Sequence, residues 1–333
     1  MLDERKIAIL RAVVQEYIET AQPVGSSHVA RARGVNVSPA TVRNEMAVLE
    51  QEGYLVQPHT SAGRIPTDKG YRSFVDNLAE PGRLDSARKQ QIREFFATAH
   101  GAIEQMLDDT SRLLSGVTNY AAVVIGPPHE GAVVRSVQLV GLSGRVVMLV
   151  VVLSNGTIEN ETIELAEEVD DARLAAATAH LSQHLVGGTL ARREPVPPSG
   201  DKSVDELCAR ARATLDGSAK TSATDVYVGG ASRMASAFDA VEVVRTVLSA
   251  LEQQYVVVSL LRDVLDRGLS VAIGVEHGVE PLASCSVIVM PYIVEGEPLG
   301  TIGVLGPTRM NYPQALAAVE VVSDRLGRRL SDG

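Results

Sequence analysis

The first 75 residues carry the periodicity of three short helices followed by a strand–turn–strand pattern, and few small folds have this order. Apolar residues recur at helical spacing over residues 7–18. The serine pair at 26–27 can cap a second, short helix that Gly34 ends. Ser38-Pro39 then combines an N-cap serine with proline at the first helical position, which predicts the start of a third helix. Together these signals predict a helix-turn-helix.

The third helix is predicted to have two faces of different character. Val42, Met46 and Leu49 fall on one side and are expected to pack inward. Most of the remaining side chains are small or form hydrogen bonds, which suits an approach to base edges in a DNA groove. The residues of this helix that we assign to DNA binding are Ser38, Thr41, Arg43, Asn44 and Gln51. For one helix alone, an ordinary solvated face would explain the same pattern.

A hairpin predicted directly after this helix favours the DNA-binding interpretation. Residues 54–56 and 64–66 have strand character and flank a polar turn, with Pro66 limiting the second strand to an edge. A hairpin in this position is the wing of a winged helix-turn-helix. Its tip carries small donors and a cation, which suit contact with phosphates or the minor groove. The tip residues assigned to DNA binding are His59, Thr60, Ser61 and Arg64.

The charge of the chain is distributed unevenly. Its net charge of −10, taken as a whole, is unfavourable for a nucleic-acid binder. Residues 1–75, however, contain nine Lys/Arg and eight Asp/Glu, whereas the rest of the chain contains 22 basic and 33 acidic residues. A near-neutral head on an acidic body is compatible with DNA binding through the head alone.

Four motifs at the two ends of the chain resemble the HrcA family of heat-inducible transcription repressors of bacterial chaperone operons. They are VGSS at 24–27, SPATVRNEM at 38–46, TSAGRIPT at 60–67 and PLGTIGVLGPTRM at 298–310. Their order and the total length fit the family over essentially the whole chain. The resemblance implies an α+β, multidomain protein: a winged helix-turn-helix followed by a GAF-like α/β domain that a mostly helical dimerisation insert interrupts.

Strand and linker signals place the boundaries of these domains. Four strand candidates between residues 121 and 165 predict an antiparallel meander, and the proline-containing segment 192–203 marks a linker. The predicted units are the winged helix-turn-helix (1–76), a connecting helical segment (77–118), the GAF-like domain (119–191 and 256–333) and the insert (192–255).

A seam of apolar residues near the end of the predicted insert is a candidate dimer interface. The residues are spaced three or four apart, which suits helix-to-helix packing between subunits. Core packing within one chain explains the spacing equally well. The seam consists of Val241, Val244, Leu248, Leu251 and Tyr255.

The sequence offers poor candidates for an enzyme, metal or cofactor site. It lacks the phosphate-binding and nucleophile-elbow motifs, and we expect no catalytic residue and no cofactor. His180 and His184 have the spacing of a zinc pair without the glutamate of that motif, so solvent-edge histidines are the favoured interpretation and no metal is expected. Cys208 and Cys285 are expected to be packing residues.

The cellular location is also predicted from the sequence. The longest apolar run, Val146–Leu153, has eight residues, far short of the ~20 that span a bilayer. The mixed charges of the N-terminus do not resemble a secretory signal. A cytoplasmic protein without a membrane partner is therefore expected.

The resemblance to HrcA implies a specific function and specific partners. These are homodimerisation, binding to double-stranded operator DNA with an inverted repeat upstream of chaperone operons, and modulation by the chaperonin GroEL. The main alternative is a winged-helix regulator whose GAF-like domain senses a metabolite. An enzyme would need a catalytic site that we do not find. An RNA-binding protein would need more aromatic stacking residues than the 4% present.

Overall fold

The computed structural model describes residues 2–59, 62–78, 82–99, 102–127, 132–154, 158–189, 196–221, 225–235, 238, 241–268 and 270–332. The helices are α1 (Glu4–Thr20), α2 (Ser26–Val29), α3 (Pro39–Gln51), α4 (Asp68–Asp76), α5 (Ser86–Thr98), α6 (Ile103–Thr118), α7 (Asp171–Leu185), α8 (Lys202–Thr221), α9 (Ala231–Ala235), α10 (Val241–Glu252), α11 (Gln254–Asp266) and α12 (Tyr312–Asp332). The strands are β1 (Leu55–Val56), β2 (Ile65–Pro66), β3 (Ala121–Ile125), β4 (Val134–Ser143), β5 (Val146–Leu153), β6 (Ile158–Glu164), β7 (Val226–Gly229), β8 (Val271–Ile273), β9 (Cys285–Val294) and β10 (Glu297–Pro307). Within these residues, no helix combines the length and apolarity needed to cross a bilayer.

The N-terminal domain, residues 2–76 without 60–61, which we call the head, has the predicted order of three helices and a hairpin. The Asp3 carboxylate caps α1 by accepting the Lys6 backbone N–H at 2.8 Å. The inward face of α3 is fully buried, with Val42 and Leu49 at 0% exposure. β1 and β2 pair antiparallel over two residues each, and α4 follows them directly. The fold class is α+β, and this head is its winged helix-turn-helix.

A five-stranded antiparallel sheet forms the centre of the rest of the chain, which we call the body. Its strand order is β7-β3-β10-β9-β8. Alternate residues of β3 point to opposite faces, as in any strand. Ala122 and Val124 join a core with α6 and α12, which continues into the head. Val123 and Ile125 face α10 and α11 in a second core. The sheet is therefore covered by helices on both sides.

The strands β4, β5 and β6 form a separate antiparallel sheet rather than one meander with β3. This sheet packs on α7 and α8 around its own core, whose buried residues lie between 132 and 215. β7, expected within the insert at 192–255, pairs instead with β3 in the body sheet. The insert defined by packing, which we call the insert unit, is therefore residues 132–215, and it has both sheet and helix. The predicted boundaries 119–191 and 192–255 cut through it.

The apolar seam expected at a dimer interface is divided between two helices. α10 ends at Glu252, so Tyr255 belongs to α11. Leu251 is only 4% exposed and packs in the core between α10 and the body sheet, out of reach of a second subunit. Val244 and Leu248 are half-buried. The side chains of Val241 and Tyr255 lie outside those that the structure describes.

Candidate nucleic-acid interface

The start of α3 is fixed by its own first residues. Ser38 Oγ accepts the Thr41 backbone N–H at 3.2 Å and lies 3.0 Å from Thr41 Oγ1. Pro39 occupies the first turn, where its missing N–H costs nothing. Both side chains assigned to DNA binding at this end therefore already shape the helix N-terminus. Ser38 stays exposed, so its hydroxyl can also reach a ligand.

The outward face of α3 presents the side chains predicted to read bases. Arg43, Asn44 and Gln51 are all exposed. None of the ion pairs between described residues involves Arg43. Ala47 lies on the same helix and is small, which lets a groove approach the backbone. Among the described residues, no other element covers the polar side chains of this face.

The wing is anchored to the rest of the head by backbone hydrogen bonds. The Val24 and Arg64 backbones exchange N–H···O bonds of 2.9 and 3.0 Å, which extends the hairpin beyond β1 and β2. Gln57 Nε2 donates to the Ala62 carbonyl at 2.9 Å across the turn. His59 is exposed at the tip. Thr60 and Ser61, also assigned to DNA binding, lie outside the described residues.

Arg64 does not extend from the wing tip as a free cation. Its Nε and Nη2 lie 2.9 and 2.8 Å from Glu50 Oε2 on α3, and its side chain is 15% exposed. The guanidinium is neutralised within the head and ties the second wing strand to the recognition helix. Its predicted contact with a phosphate would compete with this ion pair.

Two cations that the sequence reasoning missed lie beside α3. Arg31 and Arg33 are exposed in the turn between α2 and α3. Neither takes part in the ion pairs between described residues. Like Arg43, they carry positive charge that no ion pair with a described carboxylate neutralises. The pair Arg31 and Arg33, within three residues of Gly34, was the available signal, because arginines make many of the phosphate contacts of DNA-binding proteins.

The body offers no comparable chemical site among its described residues. No group of three or more His, Cys, Asp or Glu is placed to hold a metal ion there. His180 and His184 contact each other edge to face, and His180 Nε2 lies 2.7 Å from the Pro197 carbonyl. Cys208 and Cys285 are buried, and burial raises the pKa of the Cys285 thiol to about 12.

Comparisons with known proteins agree with this geometry. The family model described as the HrcA protein C-terminal domain matches residues 104–316. A protein of Acidothermus cellulolyticus, named Heat-inducible transcription repressor HrcA, is 39% identical over 344 aligned residues that cover 100% of both chains. The chain belongs to the HrcA family.

Further relatives extend the match with the HrcA family. A Geobacter sulfurreducens protein of the same name is 36% identical and covers 99% of this chain and 98% of its own. A crystal structure of a hypothetical protein at 2.2 Å resolution superposes with a TM-score of 0.71 at 24% identity. It covers 100% of this chain and 99% of that one, which shows that the fold is shared throughout.

Proposed function

We propose that the protein is a homodimeric repressor that binds an inverted-repeat operator of double-stranded DNA upstream of chaperone operons. The observation that carries this proposal is the free polar face of α3, exposed beside a hairpin wing. Family membership supports the heat-inducible repressor role, because the relatives compared carry that name. Arg43, Asn44 and Gln51 would reach base edges, and Ser38 and Thr41 would meet phosphates at the helix N-terminus.

The wing and the turn would position the head on the DNA backbone. His59, Thr60 and Ser61 would contact phosphates or the minor groove from the wing. Arg31 and Arg33 are better candidates than Arg64 to neutralise phosphates, because the Arg64 guanidinium already forms an ion pair with Glu50. Backbone contacts of this kind fix the register, while contacts from α3 select the sequence.

The dimer interface that we propose is the outer face of the sheet in the insert unit. Central strand β5 is apolar on both faces, a pattern typical of strands covered on both sides. Its inner residues are buried, but Met148 and Val150 on the outer face are only half-buried. Exposed apolar residues on the neighbouring strands extend this face: Val140 (40%), Leu142 (53%) and Ile158 (45%).

A second copy of this chain is the partner that would cover this face. A two-fold interface pairs a surface with itself, as an inverted-repeat operator requires. Leu251 of the original seam is excluded from this interface, because it belongs to the subunit core.

Modulation by the chaperonin GroEL is also part of the proposal, and it rests on the family resemblance. Heat-unfolded proteins would occupy the chaperonin, the supply of active repressor would fall, and transcription would rise. The alternative, a regulator that senses a metabolite, would need an apolar ligand if it used the cavity between α11 and the body sheet, because that cavity has only apolar side chains and one glycine. Its lining residues are Val123, Leu251, Val257, Leu260, Leu261, Leu282, Val287, Gly303, Val304 and Leu305.

Fluorescence anisotropy with the chaperone-operon inverted repeat tests the proposed function. The full-length protein should bind this DNA on the order of 10³-fold more tightly than a scrambled duplex at the same salt concentration. Added chaperonin should increase the fraction of binding-competent protein. Equal affinity for both duplexes, with and without chaperonin, would overturn the repressor assignment.

A further inference from the structure

The head is attached to the body through α4, and Arg72 makes the principal polar contact. Its Nε donates to Glu276 Oε1 at 2.9 Å, and its Nη2 donates to Glu276 Oε2. The same Nη2 donates to the Val271 carbonyl at 2.8 Å. One guanidinium therefore holds both a side chain and the backbone of the body.

Glu276 is presented by a short 3₁₀ turn, Gly274–His277, that is itself held firmly. Glu276 Oε2 accepts the Ile273 backbone N–H at 2.9 Å. Burial opposes ionisation of Glu276, but the hydrogen bonds from Arg72 and Ile273 outweigh it and keep the pKa of Glu276 below its usual value. Behind it, His277 Nε2 lies 3.0 Å from the Leu282 carbonyl. Arg72 thus meets a charged acceptor on a fixed support.

A second contact of α4 with the body joins Asp68 to Gly274, and it is possible because Gly274 has no side chain. Asp68 packs directly on Gly274, where an added Cβ would lie 2.6 Å from the Asp68 Cγ. Burial raises the pKa of the Asp68 carboxyl, and the Val275 backbone acts in the opposite direction by hydrogen bonding. Any residue larger than glycine at position 274 would displace the Asp68 carboxylate and break its contact with the turn.

The rest of this interface is largely apolar and contains an unsatisfied polar group. The Tyr71 ring of α4 lies 5.9 Å from the ring of Tyr312 on α12. The Tyr71 hydroxyl is buried and has no hydrogen-bond partner among the described residues. A buried hydroxyl without a partner is costly, so this contact is weaker than an apolar core of the same size. The apolar core that joins head and body remains, so loss of the polar contacts would loosen α4 without unfolding either part.

We propose that Asp68, Arg72, Gly274 and Glu276 form a latch that sets the orientation of the head, and with it the spacing of the two recognition helices in a dimer. These are positioning residues, since they act through α4. Opening the latch would leave each head able to bind a half-site. It would spread the second head over many orientations and so reduce the effective concentration that makes the second contact favourable. This inference rests on the proposed function.

Gly274→Ala and Gly278→Ala form a matched pair for the test. Both glycines have positive φ, +56° and +75°, so both substitutions strain the same turn region. The added Cβ overlaps Asp68 at position 274, whereas at position 278 the nearest atom is an Arg267 nitrogen at 3.9 Å. Arg72→Gln removes the ion pair by an independent route.

The test measures, for each full-length variant, the ratio of its affinity for the complete inverted repeat to its affinity for one half-site. Gly274→Ala and Arg72→Gln should change the half-site affinity by no more than about 2-fold. The ratio of complete-site to half-site affinity should fall at least ~10-fold in both variants. Gly278→Ala should keep both. A Gly274→Ala protein that behaves like Gly278→Ala, or that loses half-site affinity equally, would overturn the latch.

Hydrogen exchange separates failure of the latch from failure of the proposed function. Amides of α4 should exchange faster in Gly274→Ala and Arg72→Gln than in Gly278→Ala, in the absence of DNA. If the wild-type protein does not prefer the operator, the repressor assignment fails while this exchange difference still reports the latch. Unchanged exchange in both latch variants would exclude an opened interface.

Discussion

Arg64 in the wing pairs with Glu50 on the recognition helix, with its Nε and Nη2 at 2.9 and 2.8 Å from one carboxylate oxygen. The pair joins two elements that both face the proposed DNA surface. The pair ties the wing to α3. It also neutralises the Arg64 guanidinium, which the sequence analysis had assigned to contact with DNA.

Replacing Arg64 by alanine should therefore affect the stability of the head more than the salt dependence of DNA binding. Leaving Glu50 without its partner should lower the free energy of unfolding by roughly 1–2 kcal/mol, measured by urea unfolding of the full chain. The slope of log affinity against log salt should stay unchanged. A loss of about 1.8 from the dimer's slope at unchanged stability would instead assign Arg64 to a phosphate.

Arg31 and Arg33 should show the opposite behaviour. Each alanine substitution should weaken operator and non-specific binding by similar factors, because a phosphate contact carries no sequence information. Each should reduce the dimer's salt slope by about 1.8 if it neutralises one phosphate per subunit. Lys89→Ala removes an exposed cation on α5 outside the head and serves as the control. Equal slopes for all three variants and the wild type would remove the turn from the interface.

Asn44 and Arg43 should determine sequence preference. Alanine at either position should cost on the order of 1–3 kcal/mol of operator affinity if its side chain makes a bidentate base contact. Non-specific binding should change less. Gln183→Ala removes an exposed amide on α7, outside the head, and should be neutral. Operator affinity that is unchanged in both α3 variants would exclude this face as the reader of bases.

The outer face of β5 should control the oligomeric state. Val150→Asp would place a charge on an apolar surface that a partner covers, which is unfavourable unless the charge reaches water. The variant should sediment as a monomer, keep its far-UV circular dichroism, and bind the full operator no better than a half-site. Ala179→Asp adds the same charge at an exposed position of α7 on the other side of the insert unit. A dimeric Val150→Asp protein would rule out this interface.

His277 should make stability depend on pH. Burial lowers its pKa, against the hydrogen-bonding carbonyls of Cys285 and Leu282 and the nearby carboxylates of Asp68 and Glu276. The unfolded chain takes up a proton near pH 6.5, whereas the folded chain does so only at lower pH. The free energy of unfolding should therefore fall as pH falls below about 6.5, by at most ~1.4 kcal/mol per pH unit.

Thermal unfolding between pH 7 and 5.5 checks this dependence. His277→Gln should flatten the slope, whatever its effect on absolute stability. His184→Gln, at an exposed histidine, should retain the wild-type slope. Parallel slopes in all three proteins would show that His277 is not the group responsible.

The sequence predicted the head well because its signals are local. Ser38 and Pro39 define the start of α3 through contacts within four residues, and Val42 shares a periodicity with Met46 and Leu49 that is visible in one helix. The direction of Arg64 could not be predicted in this way. It depends on Glu50, which is 14 positions away and becomes its neighbour only when the hairpin folds back on α3.

The body was predicted less well because strand partners are set by distant parts of the chain. β3 has the same apolar character as the strands that follow it, but it pairs with β10 and β7, far along the chain. The spacing of Val244, Leu248 and Leu251 fits a helix that packs on a sheet as well as one that packs on a second helix. Periodicity reports that a face is buried and does not identify what buries it.

Because β3 pairs antiparallel with β7, the insert unit takes the place of the loop that would connect two strands of a hairpin. Ile125 and Val226 face each other across these strands, and the Gly126 N–H donates to the Asp225 carbonyl at 2.8 Å. The chain leaves the sheet and returns to it at one point, through a stem no wider than a hairpin. A short hairpin loop would be enough to connect β3 to β7 at this point. The proposed dimer face therefore lies on a unit that the body sheet does not need for its own strand pairing.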